Sequence, residues 1–262
     1  TITSVLRKCA RQIASGEAEN VSVTGTGLEK LLGPRMVKPE FLNRTNAVGI
    51  ANGLAWTSVG GETLPIEVQV IDNGSGKITV TGSLGDVMKE SAQLAVTWVR
   101  VHALEYGIDP ERLKKCDLHI HAPEGAVPKD GPSAGVTLTT ALVSCLSGLP
   151  VRGDVAMTGE ITLHGNVLPI GGLREKSMAA YREGMKTVLI PKDNVPDLYE
   201  VDDEVKKNLT FLPMSDLAQV LNAALLKPKS VSARHPHPAK KAKPVEAAIP
   251  PTPEKPKPGA VC

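Results

Sequence analysis

Residues 64–71 (LPIEVQVI) alternate apolar and polar side chains, the pattern of a β-strand with one buried face. The next segment, DNGSGK, has the composition of a turn, and residues 78–81 (ITVT) return to strand-forming residues. This order predicts a β-hairpin over residues 64–81. Two more strands are predicted, at residues 117–121 (DLHIH) and in the apolar run at residues 187–190 (TVLI).

Apolar residues recur with helical spacing in several other segments. At the start of the chain Val5, Leu6, Cys9 and Ile13 follow this spacing, and Gly16 ends the predicted helix. This opening segment is charged and has no signal-peptide pattern. The other predicted helices cover residues 28–32, 86–106, 133 onward, 171–183 and 215–226, the last with Ser215 as its N-cap.

One helical segment is long and uncharged enough to be compared with a membrane span. Residues 134–151 carry no charge over 18 positions. They include several Ser and Thr hydroxyls and end in Gly-Leu-Pro. These features favour a helix buried in a protein core, and we expect no membrane association.

The composition narrows the class of protein. With 262 residues, 41% of them hydrophobic, the chain can build one main domain with flanking segments. Aromatic residues make up only 3%, which argues against base stacking as a way to hold single-stranded nucleic acid. The four cysteines are widely spaced, so neither a disulfide framework nor a zinc site is predicted, and a reducing cytoplasmic compartment is expected.

The charge is distributed unevenly along the chain. The net charge is +2, but residues 227–262 contain eight Lys/Arg and two Glu, which leaves a net charge of −4 for residues 1–226. We therefore expect no nucleic-acid surface on the folded part. Nine prolines also fall in residues 227–262, which predicts a disordered Pro/Lys-rich tail.

Residues 128–135 (PKDGPSAG) carry the most specific chemical signal. Gly131 places Ser133 on a tight turn immediately before the uncharged helix, and the small Ala134 leaves the approach to Ser133 open. Backbone N–H groups at the start of a helix are able to stabilise an oxyanion, which suits a serine nucleophile. Two alternatives remain open from this segment alone: an N-cap serine, and a phosphate-binding loop over residues 131–135.

A serine nucleophile needs a base, and both histidine and lysine are candidates. His119 and His121 share one face of a predicted strand that leads into the serine loop. Lys176 has Gly172, Leu173, Ala179 and Ala180 as its helical neighbours, so no carboxylate at these positions holds its charged form. Burial would then lower the pKa of the lysine, although an ordinary lysine on a helix surface remains the alternative.

Taken together, these segments resemble the proteolytic domain of Lon proteases, in the family's order and over about residues 20–226. The matching segments are residues 81–91 (TGSLGDVMKES), 117–121 (DLHIH), 128–135 (PKDGPSAG), 157–163 (MTGEITL) and 171–176 (GGLREK). The resemblance implies an α+β fold of the ribosomal protein S5 domain 2-like type, with short strands and flanking helices. It also implies assembly as a homohexamer.

By this resemblance Ser133 and Lys176 form a Ser-Lys dyad, and the Thr158 hydroxyl positions the lysine amine. Glu160, His119 and His121 are expected nearby as supporting groups. Asp130 is expected in a loop that adopts active and inactive forms in the family, beside Gly131 and Ala134. The implied domains are residues 1–44, the end of an ATPase small helical domain; 45–226, the proteolytic domain; and 227–262, the tail.

The implied function is a serine endopeptidase that cleaves unfolded or damaged proteins as the peptidase part of an ATP-dependent Lon protease. The chain has no nucleotide P-loop, so no cofactor is expected here, and ATP and Mg²⁺ are expected only for an ATPase module outside these residues. Two other functions remain open. One is a non-catalytic Lon-like scaffold, and the other is a small-molecule kinase with a phosphate loop at Gly131–Gly135.

Overall fold

A computed structural model describes residues 2–33, 45–57, 60–123 and 129–226. Residues 2–226 belong to one compact unit, and the predicted tail at residues 227–262 lies outside the described residues. Two helices open the chain, α1 (Ile2–Ala14) and α2 (Leu28–Leu32). Gly16, with φ 73°, follows α1 as predicted, because the left-handed region costs glycine little.

A seven-stranded mixed sheet forms the centre of the molecule, in the order β3-β4-β2-β1-β5-β8-β9. Its strands are β1 (Ile50–Thr57), β2 (Gly60–Ile71), β3 (Ile78–Thr81), β4 (Asp117–His121), β5 (Val155–Met157), β8 (Thr187–Pro191) and β9 (Thr210–Met214). Strand β2 pairs antiparallel with β1 and β4, and the other neighbours pair parallel. The short strands β6 (Glu160–Ile161) and β7 (Val167–Leu168) form a separate antiparallel ribbon.

The hairpin predicted over residues 64–81 is wrong, because β4 lies between β2 and β3. The physical reason is at the turn. The Asp117 carboxylate, at the start of β4, accepts hydrogen bonds from the backbone N–H groups of Ser75 (2.7 Å) and Lys77 (2.8 Å). The turn therefore wraps around the end of β4, and β3 pairs parallel with its far side.

Helices cover both faces of the sheet. They are α3 (Asp86–His102), α4 (Pro110–Lys114), α5 (Gly135–Ser147), α6 (Leu173–Arg182), α7 (Asp203–Asn208) and α8 (Leu217–Ala224). Alternate residues of β1 face two separate clusters of the core: Ala51 packs with residues of α3, α5 and α8, and Leu54 with residues of α6 and α7. The uncharged helix α5 is buried along nearly its whole length, as predicted.

Two helix boundaries differ from the sequence prediction. The long helix α3 ends at His102, and a 3-10 turn at Ala103–Tyr106 completes the predicted segment. The last helix begins at Leu217 with Asp216 as its N-cap, so the predicted cap at Ser215 is wrong. The Asp216 carboxylate accepts a hydrogen bond from the Gln219 N–H at 2.9 Å, and a charged oxygen is a strong cap.

None of the helices in the described ranges has the length and apolar character required to cross a bilayer.

Candidate active site

Ser133 lies in a 3-10 turn, Pro132–Ala134, that leads directly into α5. The turn is entered through Gly131, whose φ of 134° is favourable only for glycine. Ala134, which is buried, is the N-cap residue of α5, so the N-cap alternative for Ser133 is wrong. Within the described ranges no side-chain or backbone group hydrogen-bonds to the Ser133 hydroxyl, which lines a cleft.

Lys176 is buried in the first two turns of α6, with 1% of its surface exposed. Gly172, in the left-handed region at φ 69°, starts this helix, and the Lys176 N–H donates to the Gly172 carbonyl at 3.0 Å. Burial removes water from the amine and lowers the pKa of Lys176 from 10.5 to about 8. About a tenth of the Lys176 side chains are therefore neutral at pH 7, compared with a negligible fraction for a lysine of pKa 10.5.

Thr158 connects the two candidate residues. It follows β5, is 1% exposed, and its N–H donates to the carbonyl of Leu189 in β8 at 3.1 Å. The Lys176 Nζ donates to the Thr158 Oγ1 at 3.0 Å, and this hydroxyl donates to the Ser133 carbonyl at 3.4 Å. One hydroxyl thus accepts from the amine and donates to the serine loop, which fixes one N–H of the amine and holds Nζ beside the serine loop.

A cleft of about 230 Å³ has both Ser133 and Lys176 in its wall. A smaller cleft, of about 100 Å³, also has Ser133 in its wall and is lined by Ala134, Leu64 and Met88. Ser133 therefore borders both clefts. Ser133 and Lys176 do not hydrogen-bond to each other, and such contacts often form only when substrate is bound.

Asp130 stabilises the helix next to the serine loop. Its Oδ1 accepts from the Met88 N–H at 2.9 Å, in the first turn of α3, and from the Gly131 N–H at 2.9 Å. The N-cap residue of α3, Gly85, has no side chain to cap the helix, and a Cβ there would lie 2.2 Å from the Asp130 carboxyl carbon. Asp130 thus caps α3 from another part of the chain.

Glu160 lines the same cleft as Lys176, at the start of β6. Its carboxylate is not among the causes of the lowered pKa of Lys176, which is attributable to burial alone. Glu160 therefore borders the cleft without contributing to the lowered pKa of Lys176.

The two histidines are not brought to Ser133. His119 and His121 both hydrogen-bond to the Thr81 hydroxyl, at 2.9 and 2.7 Å. They line a separate cleft of about 520 Å³ that shares no residue with either cleft at Ser133. In the described ranges, no group of three or more His, Cys, Asp and Glu side chains is arranged to hold a metal ion.

The sequence did not point to two residues at this site. Trp56 of β1 borders both clefts and packs on Gly172, where a Cβ would lie 2.5 Å from the indole. Asn194 is buried behind the cleft wall and hydrogen-bonds to Ile170. Neither residue belongs to a recognisable motif. Trp56 could still have been singled out from the sequence, because aromatic residues are rare in this chain.

A family model described as "Lon protease (S16) C-terminal proteolytic domain" matches residues 22–227. The chain belongs to the Lon protease family. The predicted family and the mixed fold of short strands and flanking helices are thereby confirmed.

Curated Lon proteases are similar over most of the chain. The Lon protease of Brevibacillus choshinensis is 53% identical over 86% of this chain, and that of Desulforamulus reducens is 51% identical over 88%. The Lon protease of Bacillus thuringiensis is 51% identical over 86%. The chain spans only 28–29% of the length of these relatives.

Proposed function

We propose that this chain cleaves peptide bonds inside unfolded or damaged proteins, with Ser133 as the nucleophile and Lys176 as the general base. The observation that carries this proposal is the burial of Lys176. Its amine is hydrogen-bonded to Thr158, which also hydrogen-bonds to the Ser133 backbone, and its pKa is lowered to about 8. A lysine in this environment can take a proton from a serine hydroxyl.

The reaction proceeds in two halves. In the first, the neutral Lys176 amine takes the proton from the Ser133 Oγ, which attacks the peptide carbonyl carbon. Backbone N–H groups around Ser133, at the start of α5, stabilise the oxyanion. Lys176 then donates its proton to the leaving amine, and the peptide bond breaks to leave an acyl group on Ser133.

The second half repeats the same proton transfers with water. Lys176 takes a proton from a water molecule, which attacks the ester carbonyl. The tetrahedral intermediate collapses, Lys176 returns the proton to the Ser133 Oγ, and the acid product leaves. Thr158 accepts a hydrogen bond from Nζ in both protonation states of the amine, so Nζ stays beside the serine loop throughout.

Three further properties are part of the proposal. In a longer protein, an ATPase module would unfold substrates, and only that module would need ATP and Mg²⁺. The domain would work as a homohexamer, and the protein would act in the cytoplasm. The family membership and the length of the relatives support these properties.

The test is a peptidase and casein assay on the 262-residue chain, with and without ATP, beside Ser133→Ala. We expect slow cleavage of a fluorogenic peptide that ATP does not change and that Ser133→Ala abolishes. Undiminished cleavage by Ser133→Ala would show that another residue is the nucleophile. Light scattering on the same sample tests the ring, with a mass of six chains of 27.6 kDa as the expected result.

A further inference from the structure

Asn194 makes an unusually complete set of contacts with one backbone residue. It lies in the 3-10 turn Lys192–Asn194 after β8 and is 3% exposed. Its Oδ1 accepts from the Ile170 N–H at 2.9 Å, and its Nδ2 donates to the Ile170 carbonyl at 2.8 Å. The second Nδ2 proton goes to the Asp197 carboxylate at 2.6 Å. This side chain thus satisfies both backbone groups of Ile170, as a neighbouring strand would.

Ile170 lies at the wall of the active-site cleft. It stands between β7 and Gly172, where α6 begins, and it lines the cleft that contains Lys176. Lys176 is only one turn further along α6, with its N–H bonded to the Gly172 carbonyl. A displacement of Ile170 would therefore be transmitted to the turn that carries Lys176.

We propose that Asn194 is a positioning residue for the peptidase reaction, which clamps Ile170 so that the first turn of α6 keeps the Lys176 amine buried against Thr158. This inference rests on the proposed function, since it concerns the base of that reaction. Asp197 supports the clamp from outside. Its carboxylate only accepts hydrogen bonds, so it keeps the Asn194 Nδ2 on the side of the Ile170 carbonyl and the Oδ1 on the side of the Ile170 N–H.

Loss of the clamp has a specific chemical consequence. Water that enters beside α6 would restore hydration of the Lys176 amine and raise the pKa of this side chain from about 8 toward 10.5. The charged residues of the cleft walls and of the elements packed on α6 include both signs. They are Glu62, Lys129, Asp130 and Glu160 in the cleft walls, Arg174, Glu175 and Arg182 on α6, Asp197 in the turn Pro196–Glu200, and Asp203, Glu204, Lys206 and Lys207 on α7. None of these groups contributes to the lowered pKa of Lys176. The clamp therefore acts on this pKa through the hydration of the amine.

The experiment measures initial rates of peptide cleavage from pH 6 to pH 10 for the full chain, Asn194→Ala and Asn46→Ala. Asn46 is a control for the loss of an asparagine side chain outside the cleft, where its Oδ1 accepts from the Gly153 N–H at 3.0 Å. For Asn194→Ala we expect the midpoint of the rate profile to move up by about one pH unit. The rate at pH 7 then falls about tenfold and recovers at high pH. Asn46→Ala is expected to keep the midpoint of the unmodified chain.

A purely structural role for Asn194 would lower the rate by the same factor at every pH, and that result would overturn the proposal. Where Asn194→Ala does not fold, Asp197→Ala replaces it. We expect its rate profile to have a midpoint that moves up by less than that of Asn194→Ala. An unchanged midpoint would contradict the proposal. If the unmodified chain itself shows no cleavage that Ser133→Ala removes, the proposed function fails before the clamp is tested. The two failures are therefore distinguishable.

Discussion

Lys176 shows how the function of this domain opposes its stability. A lysine side chain that is 1% exposed loses nearly all its hydration, and its one hydrogen bond in the described ranges is to Thr158. Its charged form is therefore destabilised in the folded protein, which is the property that makes it a base. The same burial reduces the free energy of unfolding wherever the lysine is protonated in the unfolded chain.

We expect Lys176→Met to abolish cleavage and to stabilise the fold. With a pKa of about 8 in the folded state and 10.5 in the unfolded state, the lysine costs about 3 kcal/mol at pH 7. Since the unfolded chain binds more protons between these values, the stability of the unmodified protein rises from pH 8 to pH 10.5. The advantage of Met should shrink over the same range.

Urea unfolding of both proteins at pH 7 and at pH 10 measures this difference. A Lys176→Met protein that is less stable than the unmodified chain at pH 7 would contradict the account of burial.

Thr158 is expected to contribute through its hydroxyl alone. Thr158→Val keeps the shape of the side chain and removes the hydrogen bond to Nζ, and a bond of this kind contributes about 1.5–3 kcal/mol. The rate of peptide cleavage should fall about 10- to 100-fold, whereas Thr158→Ser should keep most of the activity. Steady-state kinetics on the three proteins test this, and equal loss in both variants would assign Thr158 to packing instead.

At the scale of elements, the structure differs from the sequence prediction at the N-cap of α8. Asp216 accepts from the Gln219 N–H, whereas Ser215 contributes only its backbone N–H, which donates to the Gln219 side chain at 2.9 Å. Asp216→Ala should lower the free energy of unfolding by about 1 kcal/mol. Ser215→Ala should leave it nearly unchanged, and urea midpoints compare the two. A larger effect at Ser215 would restore the sequence prediction.

Local patterns predicted most of the elements, because periodicity and turn residues act within a few positions of each other. The strand at residues 117–121, the buried α5 and the glycine start of α6 all follow from such patterns. The hairpin failed because the decisive contact, Asp117 with the turn at residues 75–77, joins segments about 40 residues apart. The hydrophobic pattern of residues 64–81 does not indicate that β4 lies between β2 and β3.

The residues of the candidate site were likewise predicted only in part from the sequence. The motifs located Ser133 and Lys176, and the spacing of apolar neighbours on α6 predicted that the lysine would lack a carboxylate partner. His119 and His121 were expected close to Ser133 because their strand leads into the serine loop. The Thr81 hydroxyl instead holds both rings on another part of the sheet. Asn194 was missed, because its value depends on a contact with Ile170 that only the fold creates.

At the scale of the whole molecule, the candidate dyad spans the two halves of the core. Ser133 precedes α5, whose side chains join the cluster on one face of the sheet, and Lys176 lies on α6, whose side chains join the cluster on the other face. Thr158, directly after the inner strand β5, connects them. Assembly of both faces is therefore required before the amine and the serine loop share one cleft.

The central claim, that a buried lysine activates Ser133, is tested most directly by the pH dependence of peptide cleavage by the unmodified chain, with Ser133→Ala and Lys176→Met beside it. We predict a rate that rises with pH through about 8, as Lys176 loses its proton, and no cleavage above background in either variant. A rate that rises near pH 6.5 and survives Lys176→Met would indicate a histidine base and contradict the account.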